Sequence, residues 1–231
     1  MPGGGREGAR RRLWERSPGG MIGGMKPMPF VRPYRVSDRP ALGEVCVLTA
    51  HNGQDSSGIY PDRELMPTLF AYPYVDHEPE LTRVLDDGYG RAVGYIVGTA
   101  DTPRFVQWFR DAWLPAVADR YPRPGGAPRT PTDEMTGLLH DPERMVQPQL
   151  APFPAHLHID LLPPWQGRGY GRALMEAFLD ALHEKGVPAV HLCMARANTP
   201  ARAFYDRLGF REIDVPQEQG PVWYLGRPTT R

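Results

Sequence analysis

Residues 155–171 read Ala-His-Leu-His-Ile-Asp-Leu-Leu-Pro-Pro-Trp-Gln-Gly-Arg-Gly-Tyr-Gly, or AHLHIDLLPPWQGRGYG. The first half alternates polar and apolar side chains, the period of a strand with one face on a core. Pro163 and Pro164 end that strand, because proline has no N–H to give to a ladder. Gln166-Gly167-Arg168-Gly169-Tyr170-Gly171 then leads into Leu174, Ala177, Phe178, Ala181 and Leu182, apolar residues spaced along one helical face. The helix is expected over residues 170–185, with Gly186 stopping it. Glycines let a backbone approach a ligand with no side chain in the way. The first N–H groups of a helix lack intrahelical partners and carry the positive end of its dipole. A turn of this kind is a site for a phosphate or pyrophosphate, and Arg168 and Arg172 add charge from its rim.

On the C-terminal side, residues 190–194 read as a further strand. Asn198 caps a helix that tolerates Pro200 in its first turn and ends at Leu208-Gly209. Closing strands are expected at 210–215 and 222–225. On the N-terminal side, residues 30–36 suit a first strand, and Asp38 is placed to cap a helix through Leu42, Val45 and Leu48. A polar loop (51–58) and a short helix (65–70) follow. Residues 81–85, the turn Asp86-Asp87-Gly88 and residues 92–98 form a hairpin signal. Residues 105–118 read as a helix, and Trp108, Phe109 and Trp113 are assigned to the core. The Pro- and Gly-rich residues 121–132 form an excursion.

Residues 1–28 are rich in Gly, Arg and Pro and show no apolar periodicity, so a disordered leader is expected there and a single domain over 29–231. The chain has 27 Lys and Arg against 27 Asp and Glu, for a formal net charge of zero. That balance gives no support for a nucleic-acid or membrane partner. No apolar run approaches the roughly 18 residues of a membrane span, and no signal-peptide core is seen; the expected setting is cytoplasmic. Cys46 and Cys193 are read as buried thiols. No spacing of ligands suggests a metal.

Three ligand classes use a glycine-rich strand-to-helix turn. A P-loop needs a Lys after its last Gly, and none is present. A dinucleotide site needs Gly spaced G-x-G-x-x-G, whereas Gly167, Gly169 and Gly171 alternate. The pyrophosphate of coenzyme A remains. The spacing Q-x-x-G-x-G resembles the acetyl-CoA signature of the GCN5-related N-acetyltransferase (GNAT) superfamily. Residues 198–210, NTPARAFYDRLGF, resemble the family's N-x-x-A-x-x-L/F-Y-x-x-x-G-F helix, and residues 93–98 resemble its third strand. Residues 155–171 also resemble the acetyltransferase-like domain at the C-terminus of O-GlcNAcases and its free-standing bacterial relatives.

The resemblance implies an α/β fold: a mostly antiparallel, seven-stranded mixed sheet, splayed in the middle, with helices on both faces. It implies acetyl-CoA as cofactor and direct acetyl transfer to a primary amine of a small molecule or protein, by a monomer or homodimer. The alternative is a non-catalytic acetyltransferase-like module that binds a ligand or protein. Residue by residue, amides of Gln166, Gly167, Arg168, Gly169, Tyr170 and Gly171 would cradle the pyrophosphate. Backbone groups of Leu161 and Leu162, beside a bulge, would pair with the pantetheine arm. Asn198, Ala201 and Phe204 would line the cofactor, and the hydroxyl of Tyr205 would protonate the departing thiolate.

The residues themselves supply base candidates. His156, His158 and Asp160 share one strand face by the period of two, and Asp160 could orient a histidine or bind a cationic substrate. His158 is the base candidate; the alternative is that these polar residues line a solvated cleft or satisfy buried hydrogen bonds. Serotonin-acetylating members of the family have a similar His-x-His pair, though counted from Gln166 the pair here is one position off. The acceptor pocket is expected to draw on residues 51–74 and 121–132.

Overall fold

The computed structural model describes residues 27–216 and 222–230, so the expected leader lies, but for Pro27 and Met28, outside the described residues. Seven strands form one sheet: β1 (Phe30–Pro33), β2 (Arg83–Asp86), β3 (Ala92–Thr99), β4 (Ala155–Leu161), β5 (Ala189–Ala195), β6 (Arg211–Ile213) and β7 (Val222–Pro228), in the order β1-β2-β3-β4-β5-β7-β6. Every pairing is antiparallel except β4 with β5. This is the mixed sheet, helix-covered on both faces, that the sequence led us to expect.

All eight β3 residues are buried, as befits a strand sandwiched between two layers. One layer is α7 (Tyr170–Glu184), which crosses β1 to β4 and buries Leu174, Met175, Phe178 and Leu182. Gly98 permits the crossing: a Cβ there would meet the Phe178 ring at 2.5 Å and the His156 carbonyl at 2.3 Å. Tyr205 and Leu208, from α8 (Thr199–Arg207) and its end, join the same core. The opposite layer holds α1 (Arg39–Thr49), α2 (Leu65–Phe70), α3 (Tyr72–His77), α4 (Thr102–Trp108), α5 (Leu114–Val117) and α6 (Pro131–Leu139). The expected single helix over 105–118 starts earlier, because Asp101 caps it by accepting from the Arg104 N–H. It also widens into a π turn over Phe109–Trp113. Pro115 has no N–H to continue the ladder, which accounts for the wide turn just before it.

Asp38 does not cap α1 through its side chain. Arg32 claims it instead, with Nη1 and Nη2 bonding the Asp38 carboxylate at 2.7 and 2.8 Å while Nε bonds Asp86 at 2.8 Å. All three are at most 6% exposed. A buried carboxylate beside a buried guanidinium gains more from ion pairing than from a cap. The bulge expected beside Leu161 and Leu162 is absent from the β3–β4 register; the shift lies between Leu85 and Asp86 in β2.

Candidate functional site

β4 and β5 are paired through only two residue pairs, Ala155 with Val190 and His156 with His191, and then part. Both strands keep their outer neighbours, so the opening is a slot in the middle of the sheet. Backbone register decides which groups line it. The Leu162 N–H donates to the Val93 carbonyl at 3.0 Å. Hydrogen-bonded pairs alternate along an antiparallel ladder, so residues 160, 158 and 156 bond to β3 while Ile159 and Leu161 turn their backbone groups toward β5. The expectation for Leu162 is therefore corrected: its N–H serves Val93 and its carbonyl accepts from Trp165 N–H at 2.9 Å. Ile159, which sequence reasoning passed over, takes its place beside Leu161. Period-two reasoning marked the strand; the edge each backbone group faces depends on which neighbour pairs first.

The glycine-rich turn closes one end of the slot. Gly167 and Gly169 have φ of +69° and +88°, a region that favours glycine, and a Cβ at either would meet nothing within 4 Å. Among the described residues, no protein acceptor is recorded for the N–H groups of residues 167–172, whereas Ala173 N–H returns to the Gly169 carbonyl. Gln166 differs from expectation: its N–H bonds the Pro163 carbonyl, and its side chain donates to the Leu161 carbonyl at 2.7 Å. It braces the end of β4. Arg168 and Arg172 are exposed on the rim, and Arg172 lies 3.8 Å from Glu176. Gly171 matters by close approach, since a Cβ there would come within 3.2 Å of the Phe204 ring. Asn198 caps α8 by accepting from Ala201 N–H at 3.3 Å, so the Ala201 amide is already engaged.

On the other face stand the three polar residues of β4. Asp160 accepts from the Tyr95 hydroxyl at 2.8 Å, and burial raises its pKa. Tyr205 is buried, and its hydroxyl has no hydrogen-bond partner among the described residues. Burial and then the nearby Asp160 raise its pKa, so it holds its proton at neutral pH.

His156 and His158 belong to a chain of hydrogen bonds. The Thr102 hydroxyl lies 2.8 Å from both the Pro154 carbonyl and His156 Nδ1. His156 Nε2 is 2.8 Å from the Tyr74 hydroxyl, which is 3.1 Å from His158 Nε2. If Thr102 spends its single proton on the Pro154 carbonyl, each later polarity follows: His156 donates from Nδ1, Tyr74 donates to His156, and His158 donates from Nε2. His158 is then left with a lone pair on Nδ1. Burial, reinforced by Arg144 and His191, lowers the His158 pKa to about 4; His156, more deeply buried, is also lowered. Both rings are neutral at pH 7.

Tyr74 stacks on Phe105 at 4.5 Å. It is 82 residues from His156 in sequence, and no local pattern announces their meeting. The same holds for Thr102, Tyr95 and Arg144. Cys193 is likewise corrected: it is exposed at the slot, because β5 loses its β4 neighbour there, while Cys46 is buried. Away from the slot, a cleft of about 670 Å³ is bordered by Arg39, Glu44, Arg63, Tyr72, Trp113 and Tyr121. It takes in part of the two expected acceptor regions but none of the β4 polar residues. Among the described residues, no group of three His, Cys, Asp or Glu is placed to hold a metal ion. No described helix is long and apolar enough to cross a membrane.

Residues 130–210 match the family model described as the acetyltransferase (GNAT) family. The solved structure of SsHAT is 65% identical, with a TM-score of 0.86, over 89% of this chain and 100% of that one. Protein O-GlcNAcase of Rattus norvegicus is 26% identical over 189 residues, which are 79% of this chain and 20% of that protein. The chain thus spans about a fifth of the length of this curated relative. The PaiA N-acetyltransferase of Thermoplasma acidophilum, solved in complex with coenzyme A, shares the fold at 13% identity and a TM-score of 0.52, over 87% of this chain and 98% of that one.

Proposed function

Because the chain belongs to the GNAT family of acetyltransferases, we propose that it transfers an acetyl group from acetyl-CoA directly to an amine, with the cofactor threaded through the slot between β4 and β5. The observation that carries this reading is the parting of those strands after two residue pairs, between a turn of unpartnered N–H groups and a face bearing neutral His158 and Asp160. PaiA, of the same fold, binds coenzyme A.

In this reading the N–H groups of residues 167–172 hold the pyrophosphate at the N-terminus of α7. Ile159 and Leu161 offer their backbone groups to the amides of the pantetheine arm, in the manner of a missing strand. Asn198, whose side-chain N–H₂ is uncommitted, and Phe204 border it. The acceptor amine attacks the thioester carbon, forming the C–N bond, and collapse of the tetrahedral intermediate breaks the C–S bond. The amine's proton goes to Nδ1 of His158, which the hydrogen-bond chain keeps unprotonated and oriented. Tyr205 gives its proton to the departing thiolate. Asp160 faces the ammonium form of the acceptor, which gives its first proton to solvent before the free amine attacks; the second proton is the one that His158 takes. No covalent enzyme intermediate is required.

The test combines calorimetry of acetyl-CoA binding with release of free thiol across a panel of amines. Stoichiometric binding with amine-dependent thiol release supports the reading. A folded protein that binds no acetyl-CoA would overturn it.

A further inference from the structure

Arg144 lies in the short 3-10 helix Pro142–Met145 that follows α6. Its Nη1 donates to the carbonyls of Leu138 and Asp141, both at 2.8 Å, so one corner of the guanidinium closes the end of α6. The remainder of the fork is uncommitted: among the described residues, Nε and Nη2 have no hydrogen-bond or ion-pair partner. The side chain is half-buried, on a turn that packs against α4, the helix whose Thr102 meets His156. Its charge is felt by Tyr74, His156, His158, Cys193 and Tyr224.

Those neighbours come from four different elements and surround the slot on the face that carries His158. Cys193 and Tyr224 are cross-strand partners on β5 and β7, at the level where β5 has lost β4. Each neighbour is neutral at pH 7. The two histidines are held unprotonated; desolvation by the protein around the slot raises the Cys193 thiol to about 11, although its side chain is open there, and burial raises the Tyr224 hydroxyl to about 12. Asp141 adds some compensating charge, but no ion pair joins it to Arg144. A helix cap alone would be served by a cation at the surface. A partly desolvated guanidinium with Nε and Nη2 uncommitted, and with neutral groups as its neighbours, lacks the planar, two-oxygen partner that its fork matches.

We propose that Arg144 is an acceptor-binding residue that receives a carboxylate carried by the amine substrate, so that the acceptor is an amino acid or another amine bearing an anionic group. The proposal rests on the acetyltransferase reading and adds to it the substrate class. Asp160 and His158 then face the amine end and Arg144 the anionic end, with charges arranged opposite to those of the acceptor. Amines without an anionic group, such as simple alkylamines, leave the arginine edge unmet and are poor acceptors. Discrimination of this kind, by a buried group left without its partner, is stronger than discrimination by apolar fit.

The experiment uses ω-amino acids of increasing chain length and, for each, the corresponding primary amide as the neutral isostere. For the wild-type chain, kcat/KM for the best ω-amino acid exceeds that for its amide by about tenfold or more, the worth of a charge-assisted hydrogen bond. In Arg144→Gln, which keeps N–H donors for the α6 carbonyls, that ratio falls to near one while acetyl-CoA affinity is retained. Arg144→Lys, which keeps charge without the fork, gives an intermediate ratio. Equilibrium binding of the same pairs, read by calorimetry with coenzyme A present, repeats the comparison without turnover. A catalytically silent protein therefore counts against acetyl transfer, not against the carboxylate site. Equal binding and turnover of acid and amide by the wild-type chain would overturn the proposal even if both variants misfold. A preference that survives in Arg144→Gln would overturn it as well.

Discussion

Gly169 lies in the turn proposed to hold the pyrophosphate, and two substitutions there separate that role from the stability of the fold. Its φ is +88°, a conformation that costs an L-residue about 1–2 kcal/mol. A Cβ at this position would meet nothing within 4 Å, so no steric term adds to that strain. Gly169→Ala is therefore expected to lower stability by about 1 kcal/mol, a few degrees in Tm. Gly169→Glu carries the same strain and also sets a carboxylate at the N-terminus of α7, beside the N–H groups of residues 167–172. A carboxylate about 5 Å from one phosphate charge costs about 3 kcal/mol at an effective dielectric of 20, and less at an exposed turn. For a pyrophosphate the net loss is about 2–3 kcal/mol, or roughly a hundredfold in acetyl-CoA affinity. Calorimetry on both variants, with Tm measured alongside, isolates the electrostatic part from the backbone part. If Gly169→Glu bound acetyl-CoA within about threefold of Gly169→Ala, the turn would not hold the pyrophosphate, and the threading of the slot would have to be redrawn.

Tyr205→Phe is expected to lower kcat at least about tenfold with little change in acetyl-CoA affinity or Tm, since the hydroxyl has no protein partner to lose; unchanged kcat would remove its role as acid. Arg32→Met leaves Asp38 and Asp86 buried without their cation and is expected to cost about 3–5 kcal/mol in urea unfolding. A loss under about 1 kcal/mol would show that water reaches the pair. His158 is neutral in the fold down to about pH 4, whereas the unfolded chain protonates it near 6.5. The unfolded state therefore binds more protons between those values, and stability falls as pH drops through that window and is flat above it. The half-buried ring limits its share to about 2 kcal/mol. His158→Gln should be distinctly less sensitive to a change from pH 7 to pH 5 than the wild-type chain, and an equal loss in both would refute the shift.

Much of the site's chemistry was present as residue types before it had a geometry. His156, His158 and Asp160 were placed on one strand face by alternation alone, and they do share it. Their partners were invisible. Tyr74 joins the two histidines and Thr102 anchors the first, yet neither stands in a pattern that singles it out. Trp108, Phe109 and Trp113 were readable as core because aromatic residues at helical spacing bury wherever the helix docks; Phe109 and Trp113 are buried, and Trp108 packs against them. Asp38 shows the opposite case. Its position before a helix is a sound capping signal, but Arg32 on β1 offers the carboxylate a stronger, two-pronged partner.

The sequence by itself determined the elements and their order around the glycine-rich turn. Prolines, glycines and capping residues act within a few positions of where they stand, so the strand–turn–helix from Ala155 to Glu184 could be read before any contact was known. It also determined the turn's conformation, since Gly167 and Gly169 occupy backbone regions that other residues resist. Only the tertiary structure decided that Ile159, and not Leu162, lines the slot, because backbone direction depends on which neighbouring strand takes the first hydrogen bond. It alone exposed Cys193 by parting β5 from β4, and it alone packed the turn that carries Arg144, in a stretch that sequence reading left blank, against α4. Burial and hydrogen bonding assembled across the chain set the charge states of these groups, and no local stretch of residues encodes either.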